Sequence, residues 1–293
     1  MWRVCLFIIV IAITTIFVQT EQVKAQLPEL NNVRVNFAYT FLDLGFGFYE
    51  VGGLDADVFQ IPISYTFDLP KREKLKLKIE APFYYGYFKF EEKVNEAFTI
   101  KADQHLLALI PGVELQYEAL DNWYLKPFGR FGLVKSIGDN ISPSLPGLKV
   151  SNVFIFVYSV GLRSLYEIFW ERFKFSIGNA ILFSGDTSFK KDIPHNLFGS
   201  LENGVEVLRP LGFNVGGYEP DISAFFIYYH YMSDVEFVRL VDDPVTLKNQ
   251  YEIGGTIGSA TPSKLWIINN PRIGVGYRFG DVKALTINFG FPF

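Results

Sequence analysis

Cysteine occurs once in the 293 residues, as Cys5. It precedes the N-terminal apolar run, so it offers no lipoprotein acylation site. Beyond it no disulfide can form, and the fold must be held by packing and hydrogen bonds. Long apolar runs are also missing. After residue 18 nothing approaches the roughly 20 apolar residues that a membrane helix needs. No sign of charge dominates, and a net charge of −4 leaves no basic footprint for nucleic acid. The three histidines, His105, His195 and His230, have no metal-ligand spacing. Nucleophile elbows and phosphate loops are absent too, so no catalytic residue, metal or cofactor is expected. No linker, low-complexity tract or repeat beyond a two-residue alternation divides the chain.

What is present is apolar and aromatic. Hydrophobic residues make up 49% and aromatics 17%, with 30 Phe and 16 Tyr. At the N-terminus Arg3 precedes an apolar run over 6–18, too short to span a bilayer. Val23-Lys24-Ala25 then sets small residues at the −3 and −1 positions of a cleavage site. Residues 1–25 therefore read as a secretory signal peptide, exported by the Sec route. That leaves 26–293 as one domain.

A period of two dominates this domain, which is the β-strand signature. Alternating segments recur over 33–49, 58–69, 74–87, 107–119, 123–137, 150–166, 172–183, 197–209, 221–240, 250–258, 264–279 and 282–293. In 58–69, Phe59, Ile61, Ile63, Tyr65, Phe67 and Leu69 face one way, and Gln60, Pro62, Ser64, Thr66 and Asp68 the other. In 282–293, Leu285, Ile287, Phe289, Phe291 and Phe293 share one parity. The segment 150–166 is apolar on both parities, so its facing is ambiguous. Gly-, Asn-, Asp- and Pro-rich intervals separate the segments as turns.

Most segments reach the roughly 9–11 residues that a tilted strand needs to cross the hydrocarbon. An apolar face turned to lipid leaves strand edges with no water, and only a closed sheet removes those edges. The fold class is therefore all-β: a transmembrane up-and-down antiparallel β-barrel of twelve strands. The polar parity must then face a lumen. Its candidate lining is Lys76, Lys78, Glu114, Lys126, Arg130, Arg172, Lys174, Glu202, Glu206 and Arg278, with Glu80, Glu118, Glu252 and Arg272 on the same parity. Mixed signs in a narrow lumen can pair with one another, which favours a filled interior over a wide pore.

Two other features point to no chemistry. His230 has Ser233 and Asp234 nearby in sequence, but residues three and four apart on a strand lie roughly 10–13 Å apart along it. A girdle histidine among tyrosines accounts for it. The spaced glycines of 274–280 sit on a strand with Ile273, Val275, Tyr277 and Phe279 on one face, not in a nucleotide loop.

The run Ile273-Gly274-Val275-Gly276-Tyr277-Arg278-Phe279-Gly280-Asp281, followed by Phe289-Gly290-Phe291-Pro292-Phe293, resembles the end of the solitary outer-membrane autotransporter-like β-barrel proteins. These look like autotransporter translocator domains without a passenger. The resemblance implies an outer-membrane location in a Gram-negative cell. It also implies contact with outer-membrane lipid, periplasmic chaperones and the barrel-assembly machinery. Phe289, Phe291 and Phe293 would then form the assembly signal, with Asn288 where that signal usually carries glycine. The expected role is structural or that of a narrow channel, without catalysis. The alternatives are a rim enzyme acting on lipid or lipid A, a solute-specific porin, and a secreted all-β binding protein.

Overall fold

The computed structural model describes residues 37–51, 54–69, 74–95, 98–138, 153–188, 195–237, 245–261, 264–265 and 268–293. The expected leader and residues 33–36 of the first candidate strand lie outside them.

Twelve antiparallel strands close into a barrel. In chain order they are β1 (Gly47–Val51), β2 (Leu54–Ile61, resuming as Ser64–Asp68), β3 (Leu75–Glu80, resuming as Phe83–Asn95) and β4 (Phe98–Leu109, resuming as Gly112–Leu120). They continue as β5 (Trp123–Gly138), β6 (Val153–Trp170), β7 (Phe173–Ser188), β8 (Asn196–Pro210), β9 (Pro220–Phe237), β10 (Val245–Ser259), β11 (Ile273–Gly280) and β12 (Lys283–Asn288). Each strand pairs with its sequence neighbours. β12 closes on β1 in the register Gly47↔Thr286 to Glu50↔Lys283. Of the segment 221–240, the described residues to Phe237 form a single strand, with a register shift between His230 and Val235.

Proline explains the interruptions in β2, β3 and β4. Pro62, Pro82 and Pro111 have no amide hydrogen for the ladder. Carbonyls bridge the break instead. Ala81 donates to the Ile63 oxygen at 2.8 Å, Ile110 to that of Pro82 at 3.3 Å, and Phe131 to that of Pro111 at 3.0 Å. The three breaks form one crease running across neighbouring strands.

Polarity is inverted relative to a soluble protein. The outward residues of β2, from Phe59 to Phe67, are exposed, as are Leu133, Val160, Val205, Ile253, Val275 and Leu285. Inward positions hold Glu114, Arg163, Glu202, Glu206, Glu252 and Arg278, all under 9% exposed. A continuous apolar exterior of this extent cannot face water without association. Aromatic rings gather near both ends of the wall. Tyr228, Tyr251, Phe279 and Tyr277 stack in sequence across β9, β10 and β11, with centroids 5.2, 5.5 and 6.2 Å apart. Trp170, Phe175 and Phe173 cluster at the other end.

The first candidate strand, 33–49, is corrected over most of its length. Phe37–Tyr39 is α-helical, Thr40–Leu44 continues as a π-helical turn, and only Gly47 onward is strand. This helical segment lies in the lumen. Ala38, Tyr39, Thr40 and Phe41 are at most 1% exposed, so the enclosure buries every side of the turn. A helix can satisfy its backbone internally there, whereas an isolated strand could not. The candidate segment 264–279 also divides, into a small hairpin of Lys264–Leu265 with Ile268–Asn269, then β11.

Candidate functional site

The lumen is obstructed from two directions by the chain itself. The Ala38 amide donates to Asp186 Oδ2 at 3.3 Å, and Asp186 also accepts from the Asn196 side chain at 3.0 Å. This anchor sits where β7 passes to β8. Tyr39 packs edge-on against Phe198 and Tyr231, centroids 6.2 and 5.5 Å away, and its hydroxyl accepts from Gln250. Phe41 packs against Tyr84 at 5.6 Å. By Phe46 the chain has reached the opposite mouth, where the Ile287 amide donates to its carbonyl at 2.9 Å.

The second obstruction comes from the far end of the sequence. β12 stops at Asn288. Gly290 then takes φ +117°, a conformation that side chains disfavour, and the chain turns inward. Phe289 stays outside at 43% exposure, while Phe293 is buried at 7% and Phe291 packs against the buried core. This corrects the expectation that Phe289, Phe291 and Phe293 share one outward face. Strand alternation ends at Asn288, and the last two phenylalanines lie within the lumen.

Between the two obstructions is a cavity of about 380 Å³. Of the predicted lumen residues, Lys78, Glu114, Lys126, Arg130, Glu202 and Arg278 line it. Glu80, Glu252 and Arg163 line it as well. Arg163 escaped the sequence reading because it lies in the segment whose two parities are both apolar. Glu206 is buried on the inward face of β8, outside the cavity lining. Lys174 pairs with Glu167 at 2.8 Å. Two candidates are corrected. Arg172 lies in the exposed turn before β7 rather than on the wall. Lys76 is exposed at the mouth, paired with Asp68 at 3.3 Å.

The charges meet as matched pairs, and those on the β3–β6 side reach over an intervening strand. Arg130 of β5 bonds Glu80 of β3, which also pairs with Lys78 at 3.2 Å. Arg163 bonds Glu114 at 2.9 Å and lies over the Phe128 ring at 4.2 Å. Glu252 is a heavily bonded carboxylate. It accepts from Arg278 at 3.0 Å, Tyr229 at 2.9 Å, Thr286 at 2.7 Å and Asn288 at 3.1 Å. These partners stand on β11, β9 and β12, so one carboxylate ties four strands beside the β12–β1 closure.

The histidines lie away from this chamber. His105 Nδ1 is 2.8 Å from the Tyr85 hydroxyl. His230 faces outward on β9, with Nδ1 3.0 Å from Asn249 Oδ1.

The fold matches a known one. The chain superposes on the β-domain of the Bordetella autotransporter BrkA with a TM-score of 0.53 at 10% identity, covering 84% of this chain and 96% of that one. The barrel is autotransporter-like. A second likeness is to the translocator domain of the autotransporter NalP from Neisseria meningitidis, with a TM-score of 0.47, 12% identity and 84% of each chain covered. No family model matches the sequence, and no curated protein matches it either.

Proposed function

We propose that this chain is an integral outer-membrane β-barrel of a Gram-negative bacterium. It acts as a barrel in its own right rather than as the carrier of a passenger, with a structural or narrow-channel role and no catalysis. The observation that carries this reading is the inverted polarity: an apolar exterior around a lumen of paired charges. Lipid is the solvent that suits such an exterior, and the aromatic rings near both ends suit its two interfaces. Self-obstruction supports the narrow-channel part, because the barrel's own segments occupy the space a passenger would thread. Export by the Sec route, escort by periplasmic chaperones and insertion by the barrel-assembly machinery complete the proposal.

The test is refolding of residues 26–293 in detergent, then planar-bilayer recording. A shift in gel mobility on boiling and a conductance far below that of an open porin are expected. Replacing the helical segment 37–44 by a Gly-Ser linker should raise the conductance several-fold. A protein soluble without detergent, with unchanged mobility, overturns the membrane reading. A large steady conductance in the unmodified chain overturns the self-closed one.

A further inference from the structure

Asparagine stands where the barrel meets hydrocarbon. Asn203 is the central residue of β8 (Asn196–Pro210), and Asn179 faces it in register from β7. Both side chains point outward and are exposed. Their neighbours on the same face are Ile177 and Ile181 on β7, in register with Val205 and Leu201 on β8. Four outward aliphatic side chains thus frame two carboxamides in the middle of the apolar belt. Asparagine is depleted in strands, and no water reaches hydrocarbon at that depth. Neither the sheet nor the lipid accounts for the pair.

The two amides satisfy each other only in part. Asn179 Nδ2 donates to Asn203 Oδ1 at 2.7 Å. A carboxamide carries an acceptor oxygen and an NH₂ group with two donors. Among the described residues neither side chain makes a further hydrogen bond, which leaves Asn179 Oδ1 as an open acceptor and Asn203 Nδ2 as an open donor. Turning both amides over exchanges these roles and leaves the same count. The adjoining polar groups in register are engaged elsewhere. Ser164, beside Asn179, accepts from Trp123 at 2.8 Å, and the Tyr228 hydroxyl, beside Asn203, donates to Asn249 at 2.7 Å.

Resting on the membrane location proposed above, we infer that a second copy of this chain covers the β7–β8 face and completes the Asn179–Asn203 pair. Two copies inserted the same way form a symmetric dimer only about an axis along the membrane normal. Such an axis, passing between β7 and β8, sets each β7 against the partner's β8 at one depth. The open acceptor of Asn179 then meets the open donor of the partner's Asn203, and symmetry supplies the reciprocal bond. Ile177 and Ile181 meet the partner's Val205 and Leu201 around this centre. Lipid tails match the aliphatic frame as well as a second copy does, but they offer the amides no donor or acceptor. The amide pair is therefore what favours protein over lipid on this face.

Sedimentation equilibrium of the refolded barrel in density-matched micelles tests this. The unmodified chain should dimerise, and added detergent should dilute the dimer apart. Asn179→Leu and Asn203→Leu should each weaken it by about tenfold or more. The double substitution should give a monomer. All three should keep the gel shift on boiling, because an outward leucine suits a lipid-facing strand. Cysteine cross-linking in vesicles checks the register. Barrels carrying Ile181→Cys, mixed with barrels carrying Leu201→Cys, should cross-link, whereas Leu285→Cys, outward on β12, should cross-link with neither. An unmodified chain that stays monomeric at the lowest detergent overturns the interface, as do leucine variants that dimerise as well as the unmodified chain. A dimer cross-linked through Leu285→Cys overturns the choice of face. Gel mobility separates the two readings. Unmodified protein without a heat shift overturns the membrane barrel, whereas a normal shift in a monomer overturns only this interface.

Discussion

Removing the Glu252 carboxylate is the sharpest probe of the lumen. Glu252 is 1% exposed and Arg278 is 3% exposed, and they face each other in register across β10 and β11. Arg278 also lies 4.3 Å over the Tyr229 ring. Glu252→Ala leaves that guanidinium buried without its counter-charge, a change that costs about 3–5 kcal/mol. Thr286, Asn288 and Tyr229 lose an acceptor as well, at about 1–3 kcal/mol for a donor left unsatisfied. The adjoining chamber lets water replace part of that loss, so the total should stay near about 3–5 kcal/mol. Glu252→Met with Arg278→Met removes both charges together and should recover most of the deficit, because an apolar pair of similar volume is often neutral or stabilising. The assay is urea unfolding in micelles, followed by tryptophan fluorescence and gel mobility, with m-values compared across the set. A single substitution costing less than about 1 kcal/mol, the net worth of one ordinary hydrogen bond, would show that water screens the pair. A double variant as unstable as the sum of its parts would refute the charge argument outright.

Three further outcomes are expected. Val205→Arg, outward and 50% exposed at mid-strand, should cost about 2–4 kcal/mol in bilayers, while Ser64→Arg, which points into the chamber, should cost clearly less; equal unfolding costs would mean that the facing is wrong. Asp186→Ala removes the acceptor of the Ala38 amide and should raise planar-bilayer conductance through a loosened helical segment; an unchanged trace would show that this anchor does not control the obstruction. Phe289→Ala alters an outward ring, and should lower the outer-membrane yield in cells while the refolded protein keeps its unfolding midpoint. Phe293→Ala removes a buried ring, and should lower the refolded midpoint as well, through a stability loss of about 3–5 kcal/mol.

Facing was legible wherever one parity was polar. In β2, Gln60, Ser64 and Thr66 interrupt the apolar residues at every second position, and those positions turn inward. Lys78, Glu114 and Arg278 followed from the same alternation. Arg163 did not, because its neighbours Val157, Leu162 and Leu165 are apolar on both parities, and some of them pack inside the barrel. The helical segment was illegible for a different reason. Phe37, Tyr39 and Phe41 repeat at a spacing of two and so read as a strand, but in an enclosed lumen every side of a helix is buried and no polar face marks its period. Arg172 failed by one residue: it has the right parity and sits just past the strand end. Phe293 failed because alternation carries no sign of a turn unless the glycine ahead of it is read for its backbone angle.

The proline crease divides the wall into panels of unequal stiffness. Below it lie Ser64–Asp68, Leu75–Glu80 and Gly112–Leu120, whose strands are all broken at one level, while the continuous β5 joins them to β6. Amides in that panel should exchange with solvent as one cooperative unit, ahead of the unbroken β6–β9 wall, since local opening follows the weakest hydrogen-bonded boundary. The panel also carries Lys78, Glu80 and Glu114, which form one side of the chamber. The barrel therefore has a compliant wall beside its charged interior. It can flex to change the chamber's volume while the β12–β1 seam, and with it the closure of the cylinder, stays intact.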